Sequence, residues 1–447
     1  MQMAKKGLRQ IVAWLLMGSL SMAIMGCGGE DPGPTAPAVE PGATAAAFEE
    51  RVSAAGITLP PGFTATVFAD NIGLARHIAV RDNGDVYVAI RRGRDGSAGG
   101  LVALRDVNDD GEAEIVERFG PPDVGTGIAI YQGQLYFSSN TAVYAVSLED
   151  DKLVPSGEPV LIVGGFPEQR AHASKAITFD NNGHIYVNSG APSNACQEEQ
   201  RTAGSPGQMP CPQLERNGGT WRFAAAQAGQ DQMDGTRYLT GTREVVALEW
   251  NPQVDKLYFA MHGRDQLDTL WPEYFTEDDR VELPAEEFHV AEQGDDFGWP
   301  YTHYDPIRGV RMVAPEYGGD GETAAEAGRY KDPLIGFPAH WGPNDLIFYD
   351  GESFPERYRG GAFIAFHGSW NRAPQPQGGY NVVFVPMHGG IPAGDWEVFA
   401  DGFAGADPLD SPRNAAYRPT GLAVDGAGAL LISDSLQGRI WRVAYAR

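Results

Sequence analysis

Asp180-Asn181-Asn182-Gly183-His184-Ile185-Tyr186-Val187 reads as a turn feeding a strand: Asp, Asn and Gly bend the chain, and a β-branched and aromatic run follows. The unit recurs upstream as Asp82-Asn83-Gly84-Asp85-Val86-Tyr87-Val88 and Gln132-Gly133-Gln134-Leu135-Tyr136-Phe137. Downstream it returns as Asp255-Lys256-Leu257-Tyr258-Phe259, Gly361-Ala362-Phe363-Ile364-Ala365-Phe366 and Asp425-Gly426-Ala427-Gly428-Ala429-Leu430-Leu431-Ile432. Six copies, with no long amphipathic helix competing, predict an all-β fold, a six-bladed β-propeller. One small sheet cannot bury both faces, so neighbouring sheets stack around a channel. Spacing is widest between the fourth and fifth copies and reads as long loops from Glu273 to Asn344, the kind of segment on which sites are built.

Three regions follow from the composition. Residues 1–26 have the layout of a lipoprotein signal peptide: Lys5, Lys6 and Arg9, then the apolar run from Ile11 to Met17, then Ile24-Met25-Gly26-Cys27. The last four resemble a bacterial lipobox, so Cys27 is the expected lipidation site. Gly28 after it favours the outer membrane, facing the periplasm. Residues 27–56 are rich in Pro, Gly and Ala and read as a flexible tether. Residues 57–447 form the predicted propeller. The net charge of −25 disfavours nucleic acid and anionic lipid headgroups as partners, so the membrane is reached through the lipid anchor only.

Cys196 and Cys211 flank a polar segment. In an exported protein they are expected to form a disulfide, which suits them better than a metal pair because no further Cys or His stands nearby at ligand spacing. Asp106-Val107-Asn108-Asp109-Asp110-Gly111 with Glu117 matches a calcium-loop pattern, but strand-like flanks favour a plain hairpin turn.

His172 precedes the third strand copy, where a propeller points side chains into its central funnel. An imidazole there suits proton removal from a hydroxyl, although a lone His is more often structural. Four further stretches lie at strand edges: Gly241-Thr242-Arg243-Glu244, His262-Gly263-Arg264-Asp265, His367-Gly368-Ser369-Trp370-Asn371-Arg372 and Arg418-Pro419-Thr420-Gly421. A propeller would gather them at one mouth, and basic groups collected in an acidic protein suggest an anionic ligand.

These residues carry a family resemblance. His172-Ala173-Ser174-Lys175 through Asn188-Ser189-Gly190, Phe297-Gly298-Trp299-Pro300-Tyr301, Ala339-His340-Trp341-Gly342-Pro343 and Phe366-His367-Gly368-Ser369-Trp370-Asn371-Arg372 match in order along the chain. The sequence resembles the sorbosone and soluble glucose (aldose sugar) dehydrogenases that use pyrroloquinoline quinone (PQQ). The resemblance implies PQQ and Ca2+ as cofactors, a sugar substrate and an electron acceptor that the sequence does not name. It implies His172 as catalytic base and Arg243, His340, His367 and Arg418 as cofactor contacts. Arg76 would face substrate, and the backbone carbonyls of Arg264 and Asp265 would meet the metal. Glu244 departs from the family's Asn, Lys175 stands where Arg is common, and Met261-His262-Gly263 replaces the start of an Asn-Glu-Arg-Asp run. Two other classes remain open: a calcium-dependent propeller lactonase, which needs converging carboxylates, and a non-catalytic binding platform.

Overall fold

The computed structural model describes residues 51–446 apart from 53, 54 and 94. The signal segment, Cys27 and the tether as far as residue 50 lie outside the described residues. No described helix is long and apolar enough to cross a membrane.

Six small, mainly antiparallel sheets form the blades. The inner strands, in order, are Ala75–Val80, Ile128–Tyr131, Ile177–Phe179, Val245–Asn251, Pro343–Phe348 and Pro419–Val424. Each packs beside the next, and the sixth packs beside the first, so the ring is closed. Every turn-and-strand copy in the sequence is the second strand of a blade: Val86–Ile90, Gln134–Ser138, His184–Ser189, Lys256–Met261, Ala362–Phe366 and Leu430–Asp434. The six-bladed reading is thus correct, and for a physical reason: that strand is buried on both faces and is the most regular.

Closure uses both ends of the domain. Phe63–Ala69 pairs antiparallel with Ile440–Tyr445, so the sixth blade takes its outer strand from the start of the chain. Trp441, fully buried, donates its indole N–H to the Ala55 carbonyl at 3.1 Å and packs edge-on against Phe403 and Tyr417.

The stretch from Glu273 to Asn344 differs from the loop expected there. It holds two strands of the fourth blade, Glu286–Ala291 and Ile335–Phe337, and a hairpin of Thr302–Asp305 with Val310–Val313. The pattern was masked because Glu286, Glu287 and His289 are buried polar residues within a strand. Glu287 accepts from Arg311 at 2.6 Å and lies 3.0 Å from His289 Nε2, which makes its burial tolerable.

The Asp106 segment is a hairpin turn between Gly100–Arg105 and Ile115–Phe119. Its acids cap backbone N–H groups: Asp106 accepts from Asn108 at 3.2 Å and Gly111 at 2.8 Å. Glu117 lies in the following strand, and Glu114 closes the loop instead by accepting from Val107 N–H at 2.9 Å.

Candidate active site in the propeller mouth

Each blade contributes at the start of its inner strand. Arg76 opens the first blade, Thr126 stands ahead of the second, and His172 and Lys175 precede the third. Arg243 and Glu244 precede the fourth, His340 the fifth and Arg418 the sixth. Segments after the second strands, His262 to Asp265 and His367, reach the same end. The ring therefore brings the candidate base, cofactor, substrate and metal residues named from sequence to one end. Their charges feel one another: Arg76 lies in the field of Arg91, Glu244 and Arg418, and His172 in that of Glu244, Arg243 and Asp265.

His172 is held by its backbone and by one ring nitrogen. Its φ of 52° is left-handed, a conformation that needs support in a residue with a side chain. Gln169 supplies it, donating through Nε2 to the carbonyls of Ala171, His172 and Gly190, each at 2.9 Å. Gly190 must be glycine, since a Cβ would stand 2.6 Å from the His172 carbonyl oxygen. On the ring, Nδ1 lies 2.6 Å from the Ala191 carbonyl. A carbonyl only accepts, so Nδ1 carries the hydrogen and Nε2 presents a lone pair. Burial, with help from Arg243, lowers the imidazole pKa to about 4, although Glu244 pulls the other way. At neutral pH His172 is an unprotonated base.

Arg243 and Asp265 form the buried pair beside it. Arg243 donates to the Asp265 carboxylate at 2.8 Å and to the Gly263 carbonyl at 3.0 Å, and its Nε has no partner among the described residues. Gly241, at φ 76°, lets the strand start this close, because a Cβ would collide with backbone nitrogens of Phe297 and Gly298. The Asp265 carboxylate also takes Arg201 at 2.8 Å. Its carbonyl accepts from Asn194 Nδ2 at 2.9 Å. The Arg264 guanidinium pairs with Glu316, whose other oxygen takes the Trp271 indole at 2.9 Å.

Cations without a carboxylate partner among the described residues complete the mouth. Among the described residues the Arg76 guanidinium donates to the Thr126 hydroxyl, at 3.1 Å, and burial lowers its pKa to about 9. Lys175, fully buried, donates to the Ala173 carbonyl at 3.0 Å, and burial brings its pKa to about 8. Arg418 donates to the carbonyls of His367 and Gly368 at 2.8 and 2.6 Å and lies over the Tyr380 ring. His367 contacts Ser435 Oγ at 2.7 Å, and burial together with Arg418 keeps it uncharged. His340, at φ 61°, accepts from Asn371 at 3.0 Å.

A polyanion such as PQQ fits this donor set. Arg76 and Lys175 are buried and Arg418 is half-buried, the side-chain hydrogen bonds of all three go to neutral acceptors among the described residues, and Arg243 has an orphaned N–H there. Ca2+ fits less of the loop than the sequence implied. The Asp265 carboxylate is taken by two arginines and its carbonyl by Asn194, which leaves the Arg264 carbonyl as the oxygen without a donor among the described residues. The described His, Cys, Asp and Glu side chains that converge closely enough for an ion are Asp106, Asp110 and Glu114, in the first-blade hairpin.

The TrAA12-like family model matches residues 57–446. The chain belongs to the TrAA12-like family. That agrees with the family resemblance carried by the sequence motifs. Among solved structures, the calcium structure of a Trichoderma reesei carbohydrate-active enzyme of family AA12 is 18% identical, with a TM-score of 0.71, over 88% of this chain and 98% of that one. The holo form of the pyranose dehydrogenase PQQ domain from Coprinopsis cinerea is 16% identical, with a TM-score of 0.68, over 90% and 99%. PQQ-bound aldose sugar dehydrogenase from Streptomyces coelicolor is 16% identical, with a TM-score of 0.52, over 86% and 99%. At these identities the likeness is one of fold. An uncharacterized protein of Borreliella burgdorferi is 26% identical over 209 residues, 46% of this chain and 48% of that relative. The chain thus spans about half the length of that curated relative.

Some residues of this TrAA12-like mouth carried no role in the sequence reading. Thr126, Gln169, Asn194 and Arg201 are ordinary polar residues far apart in the chain, and only the ring brings them to the candidates. His262 gave a signal, since it stands two residues before Arg264, in the stretch that departs from the family's Asn-Glu-Arg-Asp run. Farther along the channel, His77, Thr178, Glu249 and Asp345 line a cavity of about 370 Å³ touched by all six inner strands.

Proposed function

We propose that the protein oxidises a sugar at a hydroxyl-bearing carbon, with PQQ held in the mouth and His172 as general base. The observation that carries this reading is the pinned His172 ring, whose bare Nε2 lies in a mouth ringed by Arg76, Lys175, Arg243 and Arg418. The names of the structural relatives support it, being sugar dehydrogenases with a PQQ domain or bound PQQ.

Arg243 and Arg418 would hold carboxylate or quinone oxygens, with His340 and His367 as neutral contacts beside them and Arg76 over the substrate side. When bound, PQQ supplies a quinone that accepts hydride from the substrate carbon. His172 takes the hydroxyl proton at Nε2, while its Nδ1–H stays on Ala191 and holds the ring in place. Glu244, 3.6 Å from Nε2, stabilises the imidazolium that results. Ca2+, if it joins the cofactor, would draw on the Arg264 carbonyl. The mouth offers no converging carboxylates among the described residues, which favours this reading over a propeller lactonase.

Apoprotein titrated with PQQ, with and without Ca2+, should show a saturable absorbance change and then reduce a soluble dye when given an aldose. Protein that binds no PQQ would end the dehydrogenase reading. We also propose export with a lipid on Cys27: Cys27→Ser should release the protein from membrane fractions, and unchanged membrane association would reject the anchor.

A further inference from the structure

Glu244 is the mouth residue that the family pattern does not explain. Its carboxylate oxygen Oε2 lies 3.6 Å from His172 Nε2 and 3.8 Å from His262 Nδ1. Neither contact is a hydrogen bond, and no donor reaches this carboxylate among the described residues. The two imidazoles do not supply one. His172 spends its N–H on Ala191 through Nδ1, at 2.6 Å. His262 spends its N–H on the Pro343 carbonyl through Nε2, at 2.7 Å. In the neutral imidazoles both remaining nitrogens are lone pairs, and both face Glu244.

Three acceptors thus line one side of the mouth without a hydrogen among them, the Glu244 carboxylate lying between the two imidazole nitrogens. They are largely buried, the side chains of His172, Glu244 and His262 being 11, 17 and 19% exposed. A ligand that enters the mouth displaces the water these acceptors meet, and acceptors left unmet are costly, so the space selects a ligand that brings hydrogens. A carboxylate or ketone ligand would add further lone pairs. A hydroxyl donates one hydrogen, and three acceptors call for more than one hydroxyl. Acceptors 3.6 Å apart are close enough to serve two hydroxyls on neighbouring carbons of one molecule.

We propose that Glu244, supported by His262, binds a second hydroxyl on the carbon next to the one that His172 deprotonates, so that the substrate is a sugar with adjacent hydroxyl groups. This rests on the sugar-oxidation reading above. The hydroxyl at the reacting carbon donates to His172, and its neighbour donates to Glu244. His262 fixes the far side of the carboxylate's surroundings and accepts any hydrogen that the first two leave unmet. Glu244 is a specificity residue in this scheme.

The test compares an aldose with its 2-deoxy counterpart, using PQQ-reconstituted protein. A hydrogen bond to a charged acceptor implies a preference on the order of 10–100-fold in kcat/KM for the hydroxylated sugar. Glu244→Gln should collapse that preference to less than about threefold, by losing more rate on the hydroxylated sugar than on the 2-deoxy one, and Glu244→Asp should restore part of it. A second readout needs no turnover. In apoprotein with ¹⁵N-labelled histidine, a methyl glycoside bearing the 2-hydroxyl should shift the bare-nitrogen resonance of His262, beside Glu244, and the 2-deoxy glycoside should not. Equal kcat/KM for the two sugars, an unchanged preference in Glu244→Gln, or equal shifts with both glycosides would overturn the proposal. If no sugar is oxidised, the catalytic reading fails, while the glycoside shifts still decide this one.

Discussion

The Arg243 guanidinium and the Asp265 carboxylate meet at 2.8 Å in a part of the mouth where both residues are buried. Burial alone would push the Asp265 carboxyl up. Arg243, His340 and Arg201 outweigh that and hold it well below the ordinary value of 3.8. The pair therefore stabilises the fold above that pH, and its contribution is lost on acidification. Asp265→Ala leaves Arg243 buried without its counter-charge. We expect a loss of about 3–5 kcal/mol in urea unfolding, with Asp265→Asn in between, and an unchanged midpoint would reject a structural role for the pair.

The disulfide between Cys196 and Cys211 closes a loop whose ends are 15 residues apart in sequence. That loop carries Arg201, which reaches Asp265 and lies over the exposed ring of Trp370. Cys211 N–H donates to the Tyr301 hydroxyl at 3.0 Å, so the far end is anchored independently. Replacing both cysteines by Ala should cost about 3 kcal/mol and open the loop to proteolysis near Glu198 to Gly204. Equal protease resistance of the variant and the parent would show that hydrogen bonds alone suffice.

Glu249 faces the channel below the mouth, accepting from Thr178 at 3.1 Å. Burial, and then repulsion from Asp345, raise its pKa from 4.5 to about 8. The folded state thus holds a proton that the unfolded chain releases at lower pH. The associated stability is fully present below pH 4.5 and fades as pH rises towards about 8. Glu249→Gln should remove this part of the alkaline decline in melting temperature. A decline of the same slope in the variant would place its origin elsewhere.

Much of the fold was legible because second strands such as Ile185-Tyr186-Val187 combine a turn, alternation and full burial. The outer strands were not, since Glu286-Glu287-Phe288-His289 carries its polar groups inward, against partners supplied by Arg311, by Gly263 of the same blade and by Gly342 ahead of the fifth. At the site, the residue types were legible and their partners were not. Nothing local in the sequence shows that the Ala191 carbonyl takes the His172 N–H, or that Asp265 is already occupied by Arg201. Those facts arise from ring closure, which sets residues from different blades side by side.

The sharpest test concerns His172. With Nδ1–H fixed on Ala191 and a pKa lowered to about 4, Nε2 is free to accept a proton throughout the neutral range. The acid limb of kcat/KM for dye-linked sugar oxidation should therefore fall near pH 4 and not near the ordinary histidine value of 6.5. Glu244 raises the His172 pKa, so Glu244→Gln should move that limb to lower pH, a shift that a general loss of packing would not produce. His172→Ala should bind PQQ and lose about 10²–10⁴-fold in rate, or about 3–5 kcal/mol of transition-state stabilisation. Intrinsic tryptophan fluorescence across the same pH range separates loss of the base from loss of the fold. A variant without His172 that oxidises sugar at the parental rate, or an acid limb that ignores Glu244→Gln, would put the base at another residue of the mouth.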